Sequence, residues 1–159
     1  MSRKYLNDRW CVRCGKTDAT PYLKRWARKL PPPGRVLDVG CGNGRNSRYM
    51  EAAGYTIDSI DMVDDFGKTV VLGVDKLPGR YKYDIILANY ILMFLDNEER
   101  SNLMLDMGRV AKKRSMVMIE MYPAKDAYPY DLDEIVGVFG DLGFEIMHKI
   151  KDRCILKRG

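Results

Sequence analysis

Apolar residues recur along this chain in short runs of strand length, separated by stretches in which they return at helical spacing. Thr20 offers an N-cap and Pro21 a first helical position, and Leu23, Trp26, Ala27 and Leu30 follow at i, i+3, i+4, i+7 until three prolines stop the pattern. A strand over 35–39 runs into a glycine-rich loop. A helix from about Gly44 comes next, with Asn46, Met50 and Ala53 on one face and Gly54 at its end. Strands are predicted over 55–60, closing on Asp61, and over 70–74 and 83–88; the last is almost continuously apolar, as a strand covered on both faces should be.

Asp96 with Glu99 forms a capping-box signal for a helix that carries Leu103, Met107 and Val110 on one side. A fifth strand covers 115–121. Asp131 with Glu134 repeats the capping signal ahead of Ile135, Val138, Phe139 and Leu142, and Gly143 ends that helix. Two further strands, 144–150 and 153–156, are separated only by Lys151 and Asp152, which reads as a hairpin. The alternation predicts an α/β fold: one doubly wound, mostly parallel sheet with an antiparallel C-terminal hairpin, and ligand at the carboxyl ends of the strands.

The connections after strands two and three are short. Only eight residues, 62–69, separate Asp61 from the third strand, whereas a parallel crossover ordinarily takes about a dozen or more. The crossover helices there are expected to be reduced or missing, leaving the sheet thinly covered near strand three. A homodimer or the aromatic N-terminal arm would cover the gap.

With 159 residues and 46% apolar content, the chain has material for a single domain over 1–159, of which 1–19 form a basic, aromatic arm. No apolar run approaches the roughly 18 residues that span a bilayer, and the first residues are charged rather than signal-like, so no membrane partner and a cytoplasmic location are expected. Charge is uneven. Residues 1–35 hold ten Lys/Arg against two Asp, a local charge of +8, whereas residues 36–111 hold eight against twelve, a local charge of −4. The arm, with Tyr5, Trp10, Tyr22 and Trp26 among its cations, suits either an acidic partner such as RNA or a solvated amphipathic segment laid on the sheet.

Four cysteines, Cys11, Cys14, Cys41 and Cys154, occur without a secretory signal, so reduced thiols are expected. Cys11 and Cys14 make half of a zinc knuckle, but a structural site wants four ligands and only His148 and Cys154 are left to complete one. No metal site is assigned.

The chemistry concentrates in Asp38-Val39-Gly40-Cys41-Gly42-Asn43-Gly44-Arg45. Glycines tolerate the positive φ of a sharp turn and let a ligand approach the backbone closely. The spacing is neither GxGxxG nor a phosphate loop ending in Lys-Ser/Thr. This D-x-G-x-G-x-G run resembles the first motif of class I S-adenosylmethionine-dependent methyltransferases. A narrower resemblance, to the tellurite-resistance methyltransferases, rests on Cys41-Gly42-Asn43-Gly44-Arg45-Asn46-Ser47, on Gly54-Tyr55, and on Tyr83-Asp84 followed by Leu92-Met93-Phe94-Leu95.

The resemblance implies S-adenosylmethionine as cofactor and assigns its contacts. Asp38 would help hold the methionine ammonium. The turn of Gly40, Cys41, Gly42, Asn43 and Gly44 would give close backbone approach, with the following helix N-terminus turned to the carboxylate. Asp61 would take the ribose hydroxyls, Met62 would border the adenine, and Asp75 is the candidate for the adenine amino group, although the family's acidic position aligns nearer Gly73. Asn89 and Tyr90, after strand four, would face the reactive end of the cofactor and the substrate, and they are the catalytic candidates. They are not an Asn-Pro-Pro-Tyr motif. Glu120, Tyr122 and His148 are the side chains available as a general base. The implied activity is methyl transfer by in-line displacement to a small molecule or an RNA acceptor; the alternative is a non-catalytic cofactor- or nucleic-acid-binding module.

Overall fold

A computed structural model describes residues 16–30, 33–62, 67, 70–71 and 77–159, and the account that follows concerns those residues. The strands are β1 (Arg35–Val39), β2 (Thr56–Asp61), β3 (Val70–Val71), β4 (Tyr83–Asn89), β5 (Ala111–Glu120), β6 (Phe144–Ile150) and β7 (Arg153–Arg158). The helices are α1 (Pro21–Ala27), α2 (Arg45–Ala52), α3 (Asn97–Val110) and α4 (Leu132–Asp141), with a 3₁₀ turn at Leu92–Phe94. The strands form one sheet in the order β3-β2-β1-β4-β5-β7-β6, with β7 running antiparallel between β5 and β6. The doubly wound, mostly parallel sheet with its antiparallel C-terminal pair is the architecture that the apolar pattern predicts.

Each face of the sheet carries its own core. Leu37, Val39, Ile86, Ala88, Val117 and Ile119 pack against Leu103 and Met107 of α3 and Ile135 and Phe139 of α4. Val36, Ile85, Leu87, Met118 and Ile155 pack on the other side against Leu23 of α1 and Met50 of α2. This division follows from strand geometry, since successive residues point to opposite faces. The helices start where the sequence places their caps. Thr20 accepts from the Leu23 amide at 3.2 Å, and Asp96 and Glu99 complete a reciprocal capping box.

Two local expectations are corrected. The buried face of α2 is Asn46, Ser47 and Met50; Ala53 is its exposed C-cap, because the helix ends one residue earlier. The fifth strand starts at Ala111 rather than 115: its register against β4 jumps from Tyr83↔Ala111 to Ile85↔Met116, and Arg114 takes φ +64° in the extra loop of strand. The polar Lys112-Lys113-Arg114 run hides that start, and Lys112 is used to pair with Asp84 at 2.9 Å. The large apolar side chains exposed among the described residues include Ile146, Met147 and Ile150 on the edge strand β6.

Among the described residues, β3 pairs with β2 at Ile60↔Val70 and Asp61↔Val71, and most of the two connections that flank it, 63–66, 68–69 and 72–76, lies outside the described residues. No described helix is long and apolar enough to cross a membrane.

Candidate functional site

The site lies where the carboxyl ends of β1, β2, β4 and β5 meet. Strand β1 delivers Asp38 and then the glycine loop, in which Gly40, Gly42 and Gly44 all take positive φ. At Gly40 the demand is also steric: a Cβ there would stand 2.9 Å from three atoms of the Ile91 side chain. The loop is tied down by its own hydrogen bonds. Gly40 and Cys41 both donate to the Ile60 carbonyl, at 2.9 and 3.0 Å, and Gly44 donates to Cys41 at 2.9 Å. The Gly42 amide donates to Asp61 Oδ2 at 2.8 Å, and the Met62 amide to Asp61 Oδ1 at 2.6 Å.

Two consequences follow. These four loop amides are spent inside the chain, so the loop offers a ligand its bare Cα surface and a fixed shape more than donors. Asp61 is only 6% exposed, and its carboxylate, with about four acceptor positions, spends two on these amides. A carboxylate so held at a strand end is suited to a vicinal diol.

Asp38 lies 2% exposed beneath the loop. Its Oδ2 accepts from Ser47 Oγ at 2.6 Å, and that hydroxyl is 2.7 Å from Ser59 Oγ, so Asp38 links β1, the start of α2 and β2. Burial pushes its carboxyl up to about 7; the Asp61 charge adds to the rise, while the Ser47 hydrogen bonds and Arg45 oppose it. A cation brought alongside would favour the ionised form. Asn43 is engaged locally: its Oδ1 accepts from the Arg45 amide at 3.2 Å and its Nδ2 donates to the Lys16 carbonyl at 2.6 Å.

At the ends of β4 and β5 the centre is Glu120, with no exposed surface. Its Oε1 accepts from Asn89 Nδ2 at 2.6 Å and from the Thr20 hydroxyl. Its Oε2 accepts from the Tyr90 hydroxyl at 3.1 Å and lies 3.3 Å from Arg153 Nε. With four partners and no solvent access, Glu120 organises its neighbours and is not placed to collect a proton from a ligand. Asn89 Oδ1 is buried without a hydrogen-bond partner among the described residues. Tyr90 takes φ +60°, held by donation of its amide to the Glu120 carbonyl at 2.7 Å and by an edge-on contact with Tyr122. Burial, followed by the Glu120 charge and hydrogen bond, raises the Tyr90 hydroxyl above its ordinary value.

The other sequence candidates fall elsewhere. His148 sits on the edge strand β6, where its Nδ1 is 2.9 Å from Tyr22 Oη and its ring packs on Trp26; it seats α1 on the sheet. Tyr122 is the packing partner of Tyr90, and its amide points to Met93 Sδ. Asp75, Cys11 and Cys14 lie outside the described residues, and Met62 is half-buried beside Asp61.

Sequence reasoning missed the residues that brace the site. Thr20 gave only a capping signal, yet it also donates to Glu120, and its amide donates to Asn46 Oδ1 at 3.0 Å. Arg100 gave no signal. It is buried and donates to the carbonyls of Leu92, Leu95 and Pro129, fastening the 3₁₀ turn to the segment after β5.

The chain is similar to known proteins over most of its length. A family model described as a methyltransferase domain matches residues 7–148. The chain is 30% identical over 86 residues to the probable S-adenosyl-L-methionine-dependent methyltransferase TehB of Haemophilus influenzae, a match that covers 45% of this chain and 30% of the relative. The chain thus spans about a third of the length of that relative. Among solved structures, its fold is similar to that of the Burkholderia thailandensis 1,6-didemethyltoxoflavin-N1-methyltransferase with bound 1,6-didemethyltoxoflavin and S-adenosylhomocysteine. That likeness has a TM-score of 0.78 at 15% identity, over 98% of this chain and 84% of the other. It is also similar to magnesium protoporphyrin IX methyltransferase from Synechocystis PCC 6803 with bound SAM, with a TM-score of 0.73 at 20% identity over 99% and 95% of the two chains. The family match covers most of the sequence, including the glycine loop, Asp61 and the Asn89–Glu120 pair, and the chain belongs to the methyltransferase domain family.

Proposed function

We propose that this chain is an S-adenosylmethionine-dependent methyltransferase acting on a small-molecule acceptor. The observation that carries the reading is the grip of Asp61 on the glycine loop, with the Gly42 amide 2.8 Å from Oδ2. It presents a carboxylate beside a surface that only glycines allow, which suits a ribose next to a methionine chain. Supporting it, two structural neighbours are named for small-molecule acceptors and hold the cofactor or its product. An RNA acceptor draws no support from them.

Bound at this edge, S-adenosylmethionine supplies a methyl group already activated on sulfur, so the protein's task is alignment and exclusion of water. Asp61 accepts the ribose hydroxyls and Met62 borders the base. Gly40, Cys41, Gly42, Asn43 and Gly44 shape the floor. Asp38, ionised in the presence of the ammonium, steadies the methionine end. The buried Asn89 Oδ1, unpartnered among the described residues, gives the reactive end an acceptor, and the Tyr90 ring walls the acceptor side. An acceptor that carries a proton on its nucleophilic atom must lose it to solvent or to its own chemistry, because Glu120 is fully engaged.

Incubation with methyl-labelled cofactor and pools of small heterocyclic and carboxylic acceptors tests the reading. Labelled product together with stoichiometric S-adenosylhomocysteine is expected, and both should fall in Asn89→Leu. Cofactor binding without transfer to any pool would favour the non-catalytic alternative.

A further inference from the structure

The proposed activity leaves the basic N-terminal segment unused. Residues 1–35 carry a local charge of +8, and the described end of that segment borders a cleft of about 450 Å3 beside the site. Lys16, Thr20, Lys24, Arg45 and Tyr90 line it, and Asp18 is the one carboxylate among the described lining residues. Asp18 scarcely offsets the cations. Its side chain is 91% exposed and its oxygen lies 3.9 Å from Lys24 Nζ, where water screens an ion pair to about 1 kcal/mol or less.

The cleft is built into the site by named contacts. Thr20 donates to Glu120, the carboxylate that also holds Asn89 and Tyr90. The Lys16 carbonyl receives Asn43 Nδ2 from the glycine loop. The Arg45 guanidinium carbon lies 5.8 Å from the Tyr90 ring centre, so a cation and an aromatic face stand together on one wall. The volume lies within the ~300–1,000 Å3 typical of small-molecule sites, which suits a compact ligand rather than a polymer.

Resting on the methyltransferase reading, we propose that this cleft is the acceptor site and that it selects an anionic organic acceptor, its ring against Tyr90 and its negative group between Lys24 and Arg45. Lys16 adds to the attracting field at the mouth. The basic segment thereby acts in substrate capture, since clefts of one sign concentrate ligands of the other.

The test uses protein first shown by titration to bind S-adenosylhomocysteine; lack of that binding would reject the methyltransferase reading and is seen before any acceptor is added. Matched pairs of aromatic carboxylates and their primary carboxamides are then compared on the loaded protein by ligand-observed NMR. Carboxylates should bind about tenfold tighter than their amides, as a charge-assisted contact predicts. Lys24→Gln and Arg45→Gln should each erase most of that preference, and Lys24→Gln should leave affinity for S-adenosylhomocysteine unchanged. Equal binding within pairs, no carboxylate binding at all, or a parallel loss of S-adenosylhomocysteine affinity in both variants would overturn the proposal; the last would assign the cations to the cofactor carboxylate.

Discussion

Asn89 donates its side-chain amide to Glu120 Oε1 over 2.6 Å, and because an ionised carboxylate only accepts, this bond fixes which end of Asn89 is turned away from Glu120. The end turned away is the oxygen, buried without a partner among the described residues. An unmet buried acceptor costs about 1–3 kcal/mol, a cost that a donor on the bound ligand would remove.

Glu120→Leu strips the acceptor from Asn89, Tyr90 and Thr20 together and leaves Arg153 beside an apolar side chain. The expected loss is about 3–5 kcal/mol in urea unfolding, in the range found when one member of a buried charged network is removed. Glu120→Gln keeps one acceptor oxygen and should lose less. A Glu120→Leu protein as stable as a variant at the exposed Glu145 would show that the cluster does not support the strand ends.

Asp38 makes stability and binding respond oppositely to pH. Its folded carboxyl titrates at about 7 against 3.8 for the ordinary group, so between those values the folded state keeps a proton that the unfolded chain has lost. Stability should therefore fall as pH rises from 4 to 7 and then level off. Asp38→Asn removes this penalty: it should match wild type near the acid end of that window and exceed it at pH 8 by on the order of 4 kcal/mol. Affinity for S-adenosylhomocysteine should rise with pH in wild type, as the carboxylate forms opposite the ammonium, and stay low and flat in the variant. Unfolding and calorimetric titrations at pH 5 and pH 8, below and above the Asp38 midpoint, measure both trends.

Gly40 and Gly54 both take positive φ, at +68° and +98°, but only Gly40 faces an obstacle, the Ile91 side chain at 2.9 Å. Gly54→Ala should cost about 1 kcal/mol for the left-handed backbone alone. Gly40→Ala adds an overpacking term and should cost about 3 kcal/mol, with cofactor binding weakened as the loop shifts. Gly40→Ala combined with Ile91→Ala should recover part of that loss. Equal costs for the two single glycine variants would remove the steric argument.

Legibility in the sequence follows the range of the interactions. The glycine loop, Asp61 and Asn89 could be placed at one sheet edge because apolar runs marked strands β1, β2 and β4, and their carboxyl ends come together in any doubly wound sheet. The capping box at Asp96 and the N-cap at Asp131 were legible because they are local, although Asp131 accepts from the Asp133 amide at 2.8 Å rather than pairing with Glu134. The partnership of Thr20 with Glu120 joins residues one hundred positions apart and has no local pattern, and the same holds for Lys16 with Asn43. Arg100 was hidden for a different reason: its partners are backbone carbonyls, which carry no residue signature. The early start of β5 was masked by three consecutive cations on an irregular stretch of strand, where alternation fails as a guide.

The most direct test is calorimetric titration of S-adenosylhomocysteine into wild type, Asp61→Ala and Asp61→Asn, with unfolding curves to confirm that each protein is folded. Asp61→Asn can still accept the Gly42 amide and so separates loop support from ribose binding. The account predicts wild-type binding with a dissociation constant on the order of 10 μM and at least about tenfold weakening in both folded variants. Wild type that binds nothing, or variants that bind as tightly as wild type, would contradict it.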